Sequence, residues 1–390
     1  MRYLKYNVLL IVLLFGIQTY CQEIEVYGVV FDDLNKNGVK EENEKGISKV
    51  VVSDQKAITT TDSEGRYTLK TDIEFPQINI SMPSGYKGVF FYSKVSEVNF
   101  PLHKDKNQDS FKFIHASDTH VDSLNLPRME HFRIMVDSIK PDFVLITGDL
   151  IRDALRVNEE TAKNYYQMYL NEIAKFNTPV YSGVGNHELF GIERHKSLVS
   201  QEHPLYGKKM YRSFLGPNYY SFNYGDIHFI SVDAVEYQNL YYFGGIDSIQ
   251  LNWLEKDIKL LSKKKSIITF NHIPFMSPGF SFQDFKTHPF YGPQLLEHKG
   301  QKHHRHIVYN FHELQNIIGE RSFPLALSGH YHAAQEGKIE GNNTLFAQTS
   351  AISRPDQFNY QGFMVKSGFN LYEVKDGTIV SSKFIPLNFN

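Results

Sequence analysis

Eight side chains that could hold metal ions or move a proton occur in five short groups along this 390-residue chain. Carboxylate, carboxamide and imidazole groups are ligands of borderline divalent ions, and no cysteine sulfur stands among them. Seven of these side chains, with one histidine to spare, would suit a pair of such ions. Any one group alone is explained as well by a turn or a core histidine, so the prediction depends on all five. The groups are Asp118 and His120, Asp149, Asn186 and His187, His272, and His330 and His332.

Each group stands at the end of a short apolar run. The run before Asp149 is Phe143-Val144-Leu145-Ile146, which predicts a strand buried on both faces, and Gly148 lets the backbone turn sharply after it. Helical stripes of apolar residues separate the runs, as in an α/β sheet. Because ligands bind beyond the carboxyl ends of the strands in such sheets, we expect the five groups to meet at one edge.

In their order and spacing, the five groups resemble the sequence blocks of the calcineurin-like metallophosphoesterases. The resemblance extends over residues 111–387 and implies a four-layer α/β/β/α sandwich. It also implies two divalent transition metal ions (Mn, Fe or Zn) at the carboxyl edge of the sheets. The matching segments are Asp118-x-His120, Gly148-Asp149, Gly185-Asn186-His187-Glu188, His272 and Gly329-His330-x-His332.

The resemblance assigns a role to each residue. Three residues would hold the first metal: Asp118, His120 and His332. Three others would hold the second: Asn186, His272 and His330. Asp149 would bridge both ions, and His187 would be the general acid that protonates the departing oxygen. The implied reaction is hydrolysis of a phosphate mono- or diester by a bridging water that the two metals activate.

Position 152 departs from two known branches of this family. Arg152 stands where purple acid phosphatases have their tyrosine, so an iron–tyrosinate site is not expected. Protein Ser/Thr phosphatases have an aspartate there to pair with the catalytic histidine, whereas the nearest aspartate here is Asp153. The partner of His187 is therefore open between Asp153 and Glu188. The blocks around Asp118 and Asp149 look most similar to the cyclic-nucleotide and general phosphodiesterase branch.

A long insertion, residues 273–312, follows His272. It is rich in Phe, His and Pro and contains His303, His304 and His306. Because it lies between two predicted metal-binding loops, we expect it to overhang the site. It either lines the substrate pocket or packs as a surface excursion, and its histidine cluster is expected to be solvated rather than to form a third metal site.

The part of the chain before residue 104 is predicted to be all-β, with alternating apolar residues and turn-forming Gly and Pro. One of its segments fits a twelve-residue calcium loop with four side-chain ligands and a backbone carbonyl. The segment resembles the calcium-binding B-type repeats of bacterial surface proteins, which are small β-sandwiches. A turn without an ion is the alternative interpretation. The ligands would be Asp33, Asn35, Asn37, the Val39 carbonyl and Glu44.

Composition excludes some partners and indicates export. A formal charge of −2 at pH 7 offers no basic footprint, so the sequence gives no reason to expect a nucleic-acid partner. Arg2, Lys5 and the apolar run 8–17 predict a secretory signal peptide cut after Cys21, and the run is too short to span a bilayer. Cys21 is the only cysteine, so no disulfide is expected. A lipoprotein acylated at Cys21 is the alternative.

The predicted organisation is a signal peptide (1–21), an all-β sandwich domain (22–103), a polar linker (104–110) and a catalytic domain (111–390). We expect an exported protein (secreted, periplasmic or on the cell surface) without a transmembrane segment. Its activity would be that of a metal-dependent phosphoric ester hydrolase acting on a phosphate ester. The alternative function is a non-catalytic, calcium-dependent surface binding protein with a vestigial phosphoesterase domain.

Overall fold

The computed structural model describes residues 23–73, 76–93, 96–106, 108–282 and 284–389. The predicted signal peptide and Cys21 lie outside these ranges. Within these ranges, eight strands belong to the predicted first domain: β1 (Ile24–Asp32), β2 (Val51–Ser53), β3 (Ile58–Thr60), β4 (Arg66–Thr71), β5 (Ile78–Ile80), β6 (Tyr86–Gly88), β7 (Phe91–Tyr92) and β8 (Phe100–Lys104). They make two four-stranded sheets, β4-β1-β8-β6 and β3-β2-β5-β7, as the alternating apolar residues predict.

The described part of the second domain contains further strands and six helices. The strands are β9 (Ser110–Ala116), β10 (Phe143–Ile146), β11 (Val180–Ser182), β12 (Tyr220–Tyr224), β13 (Ile227–Ser231), β14 (Val235–Gln238), β15 (Tyr241–Gly244), β16 (Ser266–Phe270), β17 (Leu295–His298), β18 (Gln301–His304), β19 (Leu325–Ser328), β20 (Gln335–Lys338), β21 (Leu345–Gln348), β22 (Gln357–Tyr360), β23 (Phe363–Lys366), β24 (Gly368–Lys375) and β25 (Thr378–Pro386). The helices are α1 (Leu126–Ile139), α2 (Glu159–Ile173), α3 (Arg194–Ser197), α4 (Lys208–Leu215), α5 (Ser248–Leu260) and α6 (Phe311–Ile318). No helix within the described ranges is both long enough and apolar enough to cross a membrane.

Two mixed sheets form the centre of the second domain. One has the order β11-β10-β9-β24-β25 and the other β12-β13-β16-β19-β21-β20. Strands β9, β10 and β11 run parallel in the first sheet, as do β13, β16, β19 and β21 in the second. Because parallel strands end at the same edge, the loops that follow them lie side by side.

Side chains that alternate along β10 show how the layers are stacked. Phe143 stacks on Phe113 of its own sheet at 5.4 Å and meets Phe229 of the other sheet at 5.3 Å between ring centroids. Val144 and Ile146 belong to the other apolar core, which also includes residues of α1 and α2. On the far side, His228 of β13 lies 3.1 Å from Asp257 of α5. The architecture is the expected α/β/β/α sandwich.

The two domains are joined by hydrogen bonds as well as by the covalent chain. The backbone N–H of Asn223, on β12, donates to the carbonyl of Met82 at 2.8 Å, and the indole N–H of Trp253 donates to Ser53 Oγ at 3.0 Å. Within the predicted linker, Gln108 is buried, and its Oε1 accepts hydrogen bonds from Gly85 N and Gly225 N. The side chain of Gln108 therefore connects both domains instead of being free in solvent.

Candidate metal centre

The five predicted groups come together where the parallel strands of both sheets end. Asp118 and His120 follow β9, and Asp149 follows β10. The remaining groups follow three other strands: Asn186 and His187 follow β11, His272 follows β16, and His330 and His332 follow β19. Each of these five strands therefore places polar groups at the same edge of the sheets, as its apolar run predicts.

The first cluster contains the three predicted ligands of the first metal together with Asp149. Ligand atoms of Asp118, His120, Asp149 and His332 all lie within 4.8 Å of one another. His332 Nε2 is 3.1 Å from Asp118 Oδ1, and His120 Nε2 is 3.4 Å from His332 Nε2. Four ligand atoms thus face a common point.

The second cluster is arranged around His272, whose Nε2 faces three other ligand atoms at the same distance. It lies 3.1 Å from Asp149 Oδ2, from Asn186 Oδ1 and from His330 Nδ1. The other ring nitrogen of His272 donates to the carbonyl of Thr147 at 2.8 Å, so Nε2 is the nitrogen that is free to bind a metal ion. Asp149 belongs to both clusters, as a bridging carboxylate must.

The backbone at the site is strained. Five of the seven predicted ligands have a positive φ, a region that residues other than glycine adopt rarely, and such strain concentrates at functional sites. The five are Asp118 (54°), His120 (40°), Asp149 (47°), His330 (73°) and His332 (63°).

Glycines let the loops of the site approach one another closely. A Cβ on Gly148 would come within 2.7 Å of Gly185 Cα and 2.8 Å of His272 Cβ. A Cβ on Gly329 would lie 1.8 Å from Ser117 Oγ and 2.6 Å from Asp118 Oδ2. The glycines of the sequence blocks are therefore required by contact between neighbouring loops, and Gly148 also by its φ of 85°.

The donor set fits divalent cations. Asp118 Oδ1 is buried and faces the ring nitrogens of His332 at 3.1 Å and His120 at 3.8 Å without a well-aligned hydrogen bond, so a cation between them would stabilise the carboxylate. Burial lowers the pKa of His272, but the Asp149 carboxylate outweighs burial and raises it to about 9. The centre thus favours positive charge at His272 Nε2, where a divalent ion would supply it.

His187 lies beside the clusters without belonging to either. Its Nδ1 is 2.7 Å from the carbonyl oxygen of Arg152 and donates to it, so Nε2 is left to face the centre, 3.8 Å from Asp149 Oδ2. Asp153 is 4.0 Å from Nδ1 and is engaged by Arg156 at 3.0 Å. The partner of His187 is thus a backbone carbonyl and neither of the two acids that the sequence suggests.

Glu188 binds backbone groups of two neighbouring loops. Its carboxylate accepts four backbone N–H groups, from Asp149, Leu150, Ile151 and Gly185, at 2.6–3.1 Å. Burial raises the pKa of Glu188 to about 8, while the four N–H groups oppose burial because they favour the charged form. Glu188 therefore ties the loop after β10 to the loop after β11.

The insertion contacts the metal centre directly. His306 Nδ1 lies 2.7 Å from Nε2 of the predicted ligand His330. His304 is buried, with its ring 4.7 Å from that of Phe280 and 5.3 Å from that of Phe285. The prediction of a solvated histidine cluster is thus wrong for His304, which is buried, whereas His306 is half-buried and directs Nδ1 to His330.

Arg354 is a second neighbour that the sequence did not indicate. Its Nε lies 2.9 Å from Nδ1 of the predicted ligand His332, and the residue is exposed. The guanidinium places a positive charge at the open side of the first cluster. No motif marks this arginine, since it follows the last block by more than twenty residues.

The predicted calcium loop forms a closed turn between β1 and β2. Asp33 accepts backbone hydrogen bonds from Asn37 and Gly38, and Glu44 accepts them from Leu34 and Glu41. Asp33 and Glu44 are buried, and no Lys or Arg of the described residues forms an ion pair with either carboxylate. The turn therefore gathers the acidic groups that a calcium ion would use.

Comparison with known families assigns both parts of the chain. Residues 111–334 match the model of the calcineurin-like phosphoesterases, and residues 34–116 match the model described as the N terminal of calcineurin-like phosphoesterase. The chain belongs to the calcineurin-like phosphoesterase family. Members of this family use divalent metals, and the clustered Asp, His and Asn side chains of this phosphoesterase are suited to hold them.

Solved structures resemble this phosphoesterase at low sequence identity. A dimetal phosphatase from Danio rerio is 14% identical, covers 71% of this chain and 99% of its own, and has a TM-score of 0.44. GAP50 of Plasmodium, an anchor in the inner membrane complex, is 16% identical (72% and 85% covered, TM-score 0.43). Purple acid phosphatase PPD1 from Lupinus luteus is 14% identical (93% and 69% covered, TM-score 0.42). No curated protein matches the sequence.

Proposed function

We propose that this phosphoesterase hydrolyses phosphate mono- or diesters at a centre of two divalent transition metal ions (Mn, Fe or Zn). The supporting observation is Asp149, whose carboxylate is shared by two ligand clusters with His187 at their side. Asp118, His120 and His332 would hold one ion, and Asn186, His272 and His330 the other. Bound there, the pair would lower the pKa of water and neutralise phosphoryl oxygens.

The chain's own residues hold the proton donor in place. The Arg152 carbonyl binds the Nδ1–H of His187, and Asp149 Oδ1 accepts the backbone N–H of His187 at 2.9 Å. With both contacts fixed, Nε2 points toward the space in front of the clusters. A proton at Nε2 can pass from there to a departing alkoxide, which is the role of a general acid.

The experiment is a panel of phosphate mono- and diesters assayed on protein loaded with Mn²⁺ or Zn²⁺, beside metal analysis of the same sample. Two bound ions and turnover of at least one ester class are expected. Two bound ions without any turnover would instead favour the non-catalytic binding protein.

We also propose a structural calcium ion in the first domain, held by Asp33, Asn35, Asn37, the Val39 carbonyl and Glu44. Two buried carboxylates in one turn support this proposal, because buried charges need a counter-charge. The ion would stiffen the connection between β1 and β2 and take no part in hydrolysis.

Export is proposed from the sequence pattern of residues 1–21. Mass spectrometry of protein recovered from outside the cytoplasm would show Gln22 as the first residue if the peptide is cut after Cys21. An acylated Cys21 at the N-terminus would establish the lipoprotein instead, and an uncut chain would contradict both.

A further inference from the structure

His306 of the insertion meets His330 in a geometry that fits one strong hydrogen bond. Nδ1 of His306 and Nε2 of His330 are 2.7 Å apart, the ring centroids are 4.9 Å apart, and the ring planes differ by only 25°. Two nearly coplanar imidazoles at this distance place the donor hydrogen on the line between the nitrogens. One ring must donate and the other accept.

The contact on the opposite side of the His330 ring determines which of the two histidines donates this hydrogen bond. His330 Nδ1 faces His272 Nε2 at 3.1 Å, inside the second cluster. A neutral imidazole that offers a lone pair on Nδ1 to a cation has its hydrogen on Nε2. His330 is therefore the donor, and Nδ1 of His306 is the acceptor.

His306 is itself firmly held. The neighbouring Arg305 is buried and donates to the carbonyls of Tyr242 at 2.8 Å and of Tyr291 at 2.9 Å. The phenol of Tyr331 donates to the carbonyl of His306 at 2.9 Å. The backbone that carries His306 is thus anchored at the residue itself and at its neighbour, so the His306 ring can hold another ring in a fixed orientation.

We propose that His306 is a positioning residue of the second metal cluster, through which the insertion holds His330 in its metal-binding tautomer. This inference rests on the proposed function, since His330 needs a fixed tautomer only as a ligand. Removal of a residue that hydrogen-bonds a metal-binding histidine typically lowers the metal affinity about 10–100-fold. The insertion is thereby part of the metal centre and not only a cover above it.

The test compares His306→Leu, which keeps the bulk of the ring without an acceptor, with His306→Asn, whose Oδ1 can take the place of Nδ1. Affinities for both ions are measured with Zn²⁺ against a competing chelator, and Co²⁺ absorption reports the ligand geometry. His306→Leu should lower the affinity for one ion about 10–100-fold and leave the affinity for the other ion unchanged. His306→Asn should restore most of that affinity.

His303→Ala is the matched control. His303 lies on the same hairpin, but its ring contacts Tyr309, at 4.5 Å, and no predicted ligand, so both affinities should stay as in the wild type. Unchanged binding in His306→Leu would overturn the proposal. So would equal loss of both ions, or a chain that unfolds even in chelator, since either result would assign His306 to the fold. If the wild-type protein binds fewer than two ions, the proposed function itself fails.

Discussion

The carboxylate of Glu188 accepts the backbone N–H of Asp149 at 3.0 Å, so the loop that supplies Asn186 and His187 also fixes the residue shared by both clusters. The same carboxylate binds Gly185 N at 2.6 Å. Because it joins two loops at their closest approach, Glu188 determines how near the two halves of the centre lie.

Glu188→Gln should therefore damage both folding and metal binding. A carboxamide nitrogen would face two of the four N–H donors, so at least two hydrogen bonds are lost, with a cost of about 2 kcal/mol or more. Urea unfolding in chelator measures the stability, and metal analysis the ions. Tyr166→Phe is the control: it removes only the hydrogen bond to the Glu188 carbonyl, at about 1 kcal/mol, and should keep both ions. Equal effects of the two variants would contradict this role.

Asp149→Asn should lower the affinity for both metal ions together, because Asp149 alone lies in both clusters. Asp118→Asn should weaken one ion and spare most of the affinity for the other. Calorimetric titration of each variant with Mn²⁺ separates the two sites. An Asp149→Asn protein that loses one ion and binds the second normally would show that the carboxylate does not bridge.

His187→Ala should keep both ions and lose activity unevenly. General acid catalysis contributes about 10²–10⁴-fold where the leaving alkoxide is strongly basic, and little for nitrophenolate, which leaves unassisted. We expect a large fall in kcat/KM for alkyl esters and a much smaller one for nitrophenyl esters. His330→Ala, in contrast, should depress both substrates and lower the metal content. A uniform loss in His187→Ala with both ions present would assign His187 to charge stabilisation, and lost metal would make it a ligand.

Calcium should raise the Tm of the full chain, because an ion that binds only the folded state stabilises it, by about 2.7 kcal/mol at a hundred times Kd. Glu44→Ala should abolish this shift. Glu42→Ala removes an exposed carboxylate from the same segment and should leave the shift intact. Thermal scans of the three proteins, with and without calcium, make the comparison. The same shift in Glu44→Ala would place the ion elsewhere or nowhere in this loop.

The residues of the centre could be predicted because their signal is local. An apolar run, a glycine and a polar group within a few positions, as at Ile146, Gly148 and Asp149, indicate a strand end, and five such groups in one chain together indicate a site at the edge where the strands end. His306 and Arg354 give no such signal, since their contacts depend on how long loops fold back over the site. The partner of His187 was equally hidden, because Arg152 contributes its backbone carbonyl, which no side-chain pattern reveals.

The hydrogen bond between Asn223 and Met82 has a consequence for solubility. Strand β12 is the outermost strand of its sheet, and the first domain covers it at this point, with Phe90 packed on Tyr220 at 5.0 Å. An uncovered edge strand offers free N–H and C=O groups to any other chain. A fragment that starts at residue 111 would bare this edge and its aromatic surface together, and would tend to aggregate by strand pairing between molecules. By covering this edge strand, the first domain thus protects the protein from self-association.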